Sequence, residues 1–397
     1  MRPPPPWARL LATHSLTEVT DASGALFAGE VTGYGGSSGN WLFGVVDVHT
    51  EAAGFLMMSL GFNNKIYMGT LDLSALLGGT TSSGLGDVAN LRISWTEISI
   101  TGRASDHWHI WAFGYHWISY NDDPTNSVYL LRVTLDPTTG APVRFDETLI
   151  YSESDSTVPF FNPRTTYGIS TNDHFLVEVP GGIAVALWCP SENSLRIITV
   201  DAANPGTAVG GVVTFAGSAY GTGFYCNTTG SARAASPGGI GPMPDWEILV
   251  PDSIFPTTSS NSLHLWSTDD VFSTPLTSLA SLTDASYNLQ MATFERLAND
   301  EYVVAYKRVP TSNLYSDGSS VRSDYGDIIL SIYDSTLSST DQTVVCLLAS
   351  SYDASSYSGN RPHVCRWGRY VITCWDEADQ SGNPHGAFLR IDFLAGT

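Results

Sequence analysis

Short runs of β-branched and aromatic residues, each cut off by Gly, Asn, Asp or Thr, set the rhythm of this chain. Residues 106–123, DHWHIWAFGYHWISYNDD, show the unit: an apolar run, a Gly-centred reversal, and a second apolar run closing on Asn121, Asp122 and Asp123. That pattern predicts a strand, a tight turn and a returning strand. WLFGVVDV (41–48), GFLMMSL (54–60) and KIYMGTLDL (65–73) continue it, and an earlier strand is expected around residues 14–20. Windows of 11–18 residues hold no sustained helical period of apolar positions, so helix should be nearly absent.

The hairpins recur in sets. The third run of each set ends in an aspartate, in YMGTLD, LLRVTLD, RIITVD, HLWSTD, LSIYD and FLRID. These close at Asp72, Asp136, Asp201, Asp269, Asp334 and Asp392, at intervals of 58–68 residues. The run before each repeats as well, in GFLMMSL, HWISYND, IAVALWCP, DWEILVPD, EYVVAYKR and RYVITCWD, and a fourth follows most sets, as in ETLIYS, GVVTFA and TVVCLLA. Six such units resemble an all-β, six-bladed β-propeller of four-stranded antiparallel blades. The last unit stops without a fourth strand, while residues 16–19 are left over at the other end. The expected solution is a ring closed by the N-terminal strand completing the C-terminal blade, so that no sheet edge stays open. Residues 14–397 are then a single propeller domain behind a Pro-rich lead, residues 1–13, which cannot pair as a central strand. The fourth unit is the weak one, because residues 224–244 give a poor first strand and suggest a long loop. The S-x-D-x-G-x-x-W motif of sialidase-like propellers is missing, and Trp375-Asp376 is the lone Trp-Asp pair of the WD40 kind. Each repeated aspartate is expected to accept from a backbone N–H two residues on and fix its turn, rather than bind a metal.

Composition narrows the partners. With 39 acidic against 18 basic residues and a net charge of -21, the chain repels a duplex or an anionic bilayer surface, so nucleic acid is not an expected partner. The first 16 residues, MRPPPPWARLLATHSL, lack the apolar core of a secretory signal, and no run has the ~18 apolar residues of a membrane span. The expected setting is a virion or the extracellular side, with the cytoplasm left open. The five cysteines are scattered and read as buried small hydrophobes. A two-residue turn at Gly368-Arg369 would set Cys365 opposite Ile372 and Cys374 opposite His363, and the two thiols are expected on opposite faces.

Candidate chemistry follows from the up-down course of each blade. The start of the first strand and the end of the second share one end of the sheet, so residues there would share a rim. The starts supply His107, His174 and His363. The ends supply Tyr120, Asn121 and Asp122, then Trp188, then Trp375, Asp376 and Glu377. His109 joins His107 by H-x-H spacing, which strand alternation puts on one side. Three readings compete: blade-bracing groups, a shallow glycan site in which Trp and Tyr faces stack on sugar rings, and acid–base or metal chemistry. Asp122, Glu178, Glu295, Asp376 and Glu377 are the carboxylates that could flank a glycosidic bond. No P-loop, dinucleotide fingerprint, G-x-S-x-G or H-E-x-x-H is present. No cofactor is expected beyond calcium at the acidic loops 152–156 and 121–123, which lack EF-hand spacing. The leading expectation is a non-catalytic binding or structural propeller recognising a glycan or protein surface within a larger assembly, since the acidic, Lys-poor composition resembles virion adhesion and phage tail proteins. The alternative is a glycan-active hydrolase or lyase on the same face.

Overall fold

The computed structural model describes residues 14–18, 28–32, 47–52, 55–62, 65–72, 91–92, 94–102, 104–122, 127–151, 174–179, 181–189, 194–206, 213–216, 231–234, 245–252, 262–269, 277–297, 301–312, 326–344, 357–379 and 384–396. Among them there are strands and turns and no helix. In chain order the strands begin with β1 (Ser15–Glu18), β2 (Ala28–Thr32), β3 (Asp47–Ala52), β4 (Phe55–Phe62), β5 (Lys65–Asp72), β6 (Leu91–Arg92), β7 (Ser94–Ser99), β8 (Ala104–Ala112) and β9 (Tyr115–Asp122). Then come β10 (Ser127–Leu135), β11 (Pro142–Tyr151), β12 (His174–Val179), β13 (Gly182–Cys189), β14 (Ser194–Asp201), β15 (Val213–Ala216), β16 (Ser231–Ala234), β17 (Asp245–Asp252), β18 (Ser262–Asp269) and β19 (Thr277–Thr283). The last are β20 (Tyr287–Arg296), β21 (Tyr302–Pro310), β22 (Asp327–Tyr333), β23 (Ser339–Val344), β24 (Tyr357–Trp367), β25 (Tyr370–Asp379) and β26 (Pro384–Ala395).

These strands form six sheets, which we number along the chain. Sheets one to five have four strands each: β3-β4-β5-β7, β8-β9-β10-β11, β12-β13-β14-β15, β16-β17-β18-β19 and β20-β21-β22-β23. Sheet six runs β24-β25-β26, and the free side of β26 is covered twice. Its C-terminal end takes β1, with Ser15 opposite Ala395 and Glu18 opposite Asp392, and its middle takes β2, with Ala28 opposite Arg390. Beyond that, β2 pairs in parallel with β6, which immediately precedes the outer strand of sheet one. The first strands touch in a cycle: β3 with β8, β8 with β12, β12 with β16, β16 with β20, β20 with β24, and β24 with β3.

The core lies between neighbouring sheets, face to face. Met57, Ile66, Met68 and Ile98 of sheet one pack on Ile118, Tyr120, Leu131 and Val133 of sheet two. Leu263 and Leu265 of sheet four meet Leu289, Phe294, Tyr302 and Ile329 of sheet five, whose other face brings Val303, Ala305 and Leu330 against Val364, Val371 and Trp375 of sheet six. A strand buried on both faces reads as a continuous apolar run, which is why YVVAYKRVP of β21 shows no alternation. Lys307, on the same face as Val303 and Ala305, is fully buried. Its chain lies over Gly326, where an added Cβ would come within 2.7 Å of Lys307 Cε. Outermost β11 is the reverse case, exposed or half-buried along all but its last residue and mixed in composition.

The structure shifts two expected elements. The described first strand of sheet one, 47–52, runs past residue 48, the expected end, to Ala52 opposite Phe55. Residues 41–46 lie outside the described residues. In the fourth sheet the first strand is the short SARA of β16, inside the segment read as loop, and the flanking 217–230 and 235–244 lie outside the described residues. β2 and β6 were not foreseen at all.

Candidate functional site

The β8–β9 hairpin shows how the candidate positions are set. Phe113 and Gly114 both have positive φ, at 53° and 77°, the two-residue turn whose twist matches that of the strands. It fixes the register from Ala112 opposite Tyr115 up to His107 opposite Tyr120, with Asp106 opposite Asn121 and Ala104 opposite Asp122. In sheet three His174 stands opposite Leu187 and Trp188 opposite Leu195. In sheet six Asp376 stands opposite Asn360 and Glu377 opposite Gly359, while His363 pairs with Cys374, further down the strand. Within each sheet the backbone therefore places these residues at the end where the first strand begins. The side chains of His107, His109, Asn121, Asp122, His174, Trp188, Asp376 and Glu377 lie outside what the structure describes.

Three of the candidates are core residues instead. Trp375 is fully buried and stacks on Phe388 at 5.8 Å between ring centroids, so its indole face is covered and offers nothing to a sugar ring. Tyr120, also fully buried, stacks on Tyr129 at 5.0 Å and donates its hydroxyl to Glu147 Oε1 at 2.8 Å, while accepting from the Gly102 N–H at 3.3 Å. Burial first, with the Glu147 carboxylate behind it, pushes this phenol above its usual range. His363 is buried on β24. All three were expected to line a ligand surface. Alternation along a strand decides against that, since their positions point into the packed inter-sheet layers and not along the strand axis.

Glu178 is half-buried near the turn end of β12, far from His174 at the strand's start, and burial raises its carboxyl above the usual value. Glu295 likewise sits near the turn end of β20, opposite Val303. Neither carboxylate shares the end of its sheet with the other candidates. Among the described residues no group of three or more His, Cys, Asp or Glu could hold a metal, and the loop 152–156 lies outside them.

Several buried polar groups have structural work that sequence reasoning did not find. His14 donates its N–H to Glu301 Oε2 at 3.3 Å, its ring Nδ1 bonds the same oxygen, and both residues are buried. Two residues on, the Leu16 N–H donates to Asp341 Oδ2 at 2.6 Å. Thus β1 is clasped by two carboxylates of sheet five as well as paired in sheet six. Arg390 and Asp392, adjacent on one face of β26, form a buried ion pair at 2.7 Å. The sequence pattern grouped Asp392 with the turn-fixing aspartates, whereas here it is a fully buried strand residue that accepts from Arg390. Asp136, Asp201 and Asp334 accept from the N–H of Thr138, Ala203 and Thr336 at 2.7–2.8 Å, as the repeat suggested.

Cys365 and Cys374 are buried and are not joined in a disulfide, and the register is the one expected: Cys365 opposite Ile372, Cys374 opposite His363. The face assignment was wrong. Residues 363 and 365 are two apart on one strand, and directly opposed residues share a face, so the two thiols lie diagonally on the same side of sheet six.

No protein-family model matches the chain, and no curated protein is similar to it in sequence. A solved structure of a protein of unknown function from Dyadobacter fermentans superposes with a TM-score of 0.50 at 11% identity, covering 96% of this chain and 99% of that one. That is a likeness of fold. The β-propeller domain of the Trilobed protease from Pyrococcus furiosus is similar at a TM-score of 0.36 and 8% identity, over 87% of this chain and 84% of that one. Xyloglucan PUL GH43B of Bacteroides ovatus is similar at 0.40 and 8%, over 93% and 96%. Antiparallel sheets packed face to face in chain order, with their first strands in mutual contact, are a β-propeller arrangement. The likeness to virion proteins expected from composition has no counterpart among these structures.

Proposed function

We propose that the six sheets are the blades of one six-bladed β-propeller whose ring closes through β1, and that the chain is a glycan-active enzyme working at the end where the first strands begin. Contacts between consecutive first strands support the ring, together with the pairing of β1 to β26. The observation carrying the function is the burial of Trp375 and Tyr120. With those two rings inside the core, the candidate positions remaining at that end are Asn121, Asp122, Asp376 and Glu377 with His107, His109 and His174, and Trp188 is the one aromatic left among them. An aromatic stacking platform gives way to carboxylates and imidazoles. In glycoside hydrolysis one carboxyl group protonates the leaving oxygen, while another attacks the anomeric carbon or activates water. Asp122, Asp376 and Glu377 are the groups proposed for these roles, with the imidazoles positioning hydroxyls or relaying protons. The proposed setting is extracellular or particle-borne, where polysaccharide is met as a surface.

The test is a panel of polysaccharides and oligosaccharides assayed for new reducing ends and for the unsaturated products of a lyase, with Asp122→Asn, Asp376→Asn and Glu377→Gln beside the wild type. Cleavage by the wild type, lost by at least about a hundredfold in one of these variants, is the expected outcome. A second reading, non-catalytic glycan binding, is favoured by Trp188 near the end of β13 at the same end of its sheet. Glycan-array binding without any cleavage would replace the first reading by the second. Neither binding nor cleavage would remove both.

A further inference from the structure

The outer strand of sheet two carries an exposed apolar stripe. Val143, Phe145 and Leu149 of β11 are 62%, 44% and 49% exposed, on alternate positions of one strand face. Glu147, the remaining member of that row, is not free to solvate it. Its carboxylate accepts from the Tyr120 hydroxyl at 2.8 Å and the Thr101 N–H at 3.1 Å. β11 pairs only with β10 among the described strands, and among the described residues its other side is an open edge. A long, half-apolar open edge is what a protein avoids unless something pairs with it. By contrast β23, STDQTV, is polar, and β19 exposes Leu279 alone among large hydrophobics.

The opposite face of β11 carries charge. Arg144, whose side chain is 70% exposed, donates to Asp146 Oδ1 at 3.0 Å, and Asp146 Oδ2 accepts from Arg132 at 3.0 Å. We infer that the partner for this edge is a second copy of the same chain, paired β11 to β11 about a two-fold axis through Phe145. Antiparallel side-by-side pairing of identical strands needs an axis perpendicular to the sheet, so one residue must face its own copy. An axis at Arg144, Asp146 or Glu147 would set like charges directly against each other, which is destabilising. At Phe145 it stacks two phenyl rings, puts Leu149 opposite Ala141, and sets Arg144 of each copy opposite Asp146 of the other, twice. Charge complementarity selects that register. The interface is one strand wide, so the dimer is a weak one.

Sedimentation of the full chain from about 1 µM to about 1 mM spans the affinities open to such an interface. The expected result is a monomer–dimer equilibrium that weakens about tenfold or more in Phe145→Lys and in Arg144→Asp, each changing a contact at or beside the axis. Both side chains are exposed, and unchanged thermal unfolding of the monomer verifies that the fold is intact. In Leu279→Lys the equilibrium should stay where it was. A wild type that remains monomeric throughout the series overturns the inference. So does a dimer indifferent to both β11 variants, and so does capture of another macromolecule by this edge without self-association.

Discussion

Removing the carboxylate that clasps β1 is the sharpest test of how the chain's two ends are joined. In Glu301→Ala the His14 N–H and the His14 ring lose a shared acceptor, at a place where both residues are less than a tenth exposed. A hydrogen bond to a charged group is worth about 1.5–3 kcal/mol, and a buried donor left unmet costs about 1–3 kcal/mol. Both bonds go to one oxygen, and the end of a four-residue strand can move toward water, so the loss is set at about 2–4 kcal/mol rather than the full sum. Asp341 still holds the Leu16 N–H, and β26 still pairs β1, so the effect should be local first. Hydrogen exchange at Ser15–Glu18 should speed up in Glu301→Ala before global unfolding changes by the same amount. A double-mutant cycle with His14→Ala isolates the contact, and a coupling of about 2 kcal/mol is expected in urea unfolding. Coupling below about 0.5 kcal/mol, or unchanged exchange at those four amides, would refute the clasp.

Four further outcomes follow from the same geometry. Asp392→Ala leaves the Arg390 guanidinium buried beside a lost carboxylate and should cost about 3–5 kcal/mol in denaturant unfolding, more than the double replacement of both by apolar residues. Trp375→Ala should destabilise by about 3–5 kcal/mol, because the indole is core; a fully stable variant that had lost glycan binding would contradict its placement. Burial pushes the Asp334 carboxyl up, but the Thr336 hydroxyl and the Ser338 and Thr336 N–H groups outweigh this and hold it below its ordinary value. Its contribution, about 0.5–1 kcal/mol after screening, is then present above the unfolded pKa near 4 and vanishes as pH falls through the folded one, so Asp334→Ala and wild type should converge as the solution is acidified below that range. Glu178 has the opposite sign. Its raised carboxyl burdens the fold only once deprotonated, so Glu178→Gln should match the wild type in acid and exceed it by about 0.5–1 kcal/mol at neutral pH.

The strands were legible because their physics is local. Gly114 and Gly368 sit at the two-residue turns that end apolar runs, and from them the registers of β8 with β9 and β24 with β25 could be drawn. The spare strand near Leu16 was visible for the same reason, as an apolar run without a partner. The site was less legible because a run's end does not say which residues dip into the layer between sheets. Trp375 directly precedes Asp376 and Tyr120 lies two residues before Asp122 in sequence, yet in space they stand on Phe388 and Tyr129. The contacts of His14 with Glu301 and of Leu16 with Asp341 join residues about 300 apart, and neither pair has a spacing to betray it. β2 and β6 are only five and two residues long and fall outside the repeated sets of strands. Their pairing depends on sheets that must already be in place.

The double covering of β26 fixes an order of events during synthesis. β1 and β2 leave the ribosome ahead of sheets one to five, and their partner β26 follows all of those sheets. While sheets one to five are being made, these two strands wait with bare amide edges, the condition under which nascent chains stick to one another. The Pro-rich stretch upstream and the acidic surplus of the chain both act against that fate while the C-terminal strand is still being made.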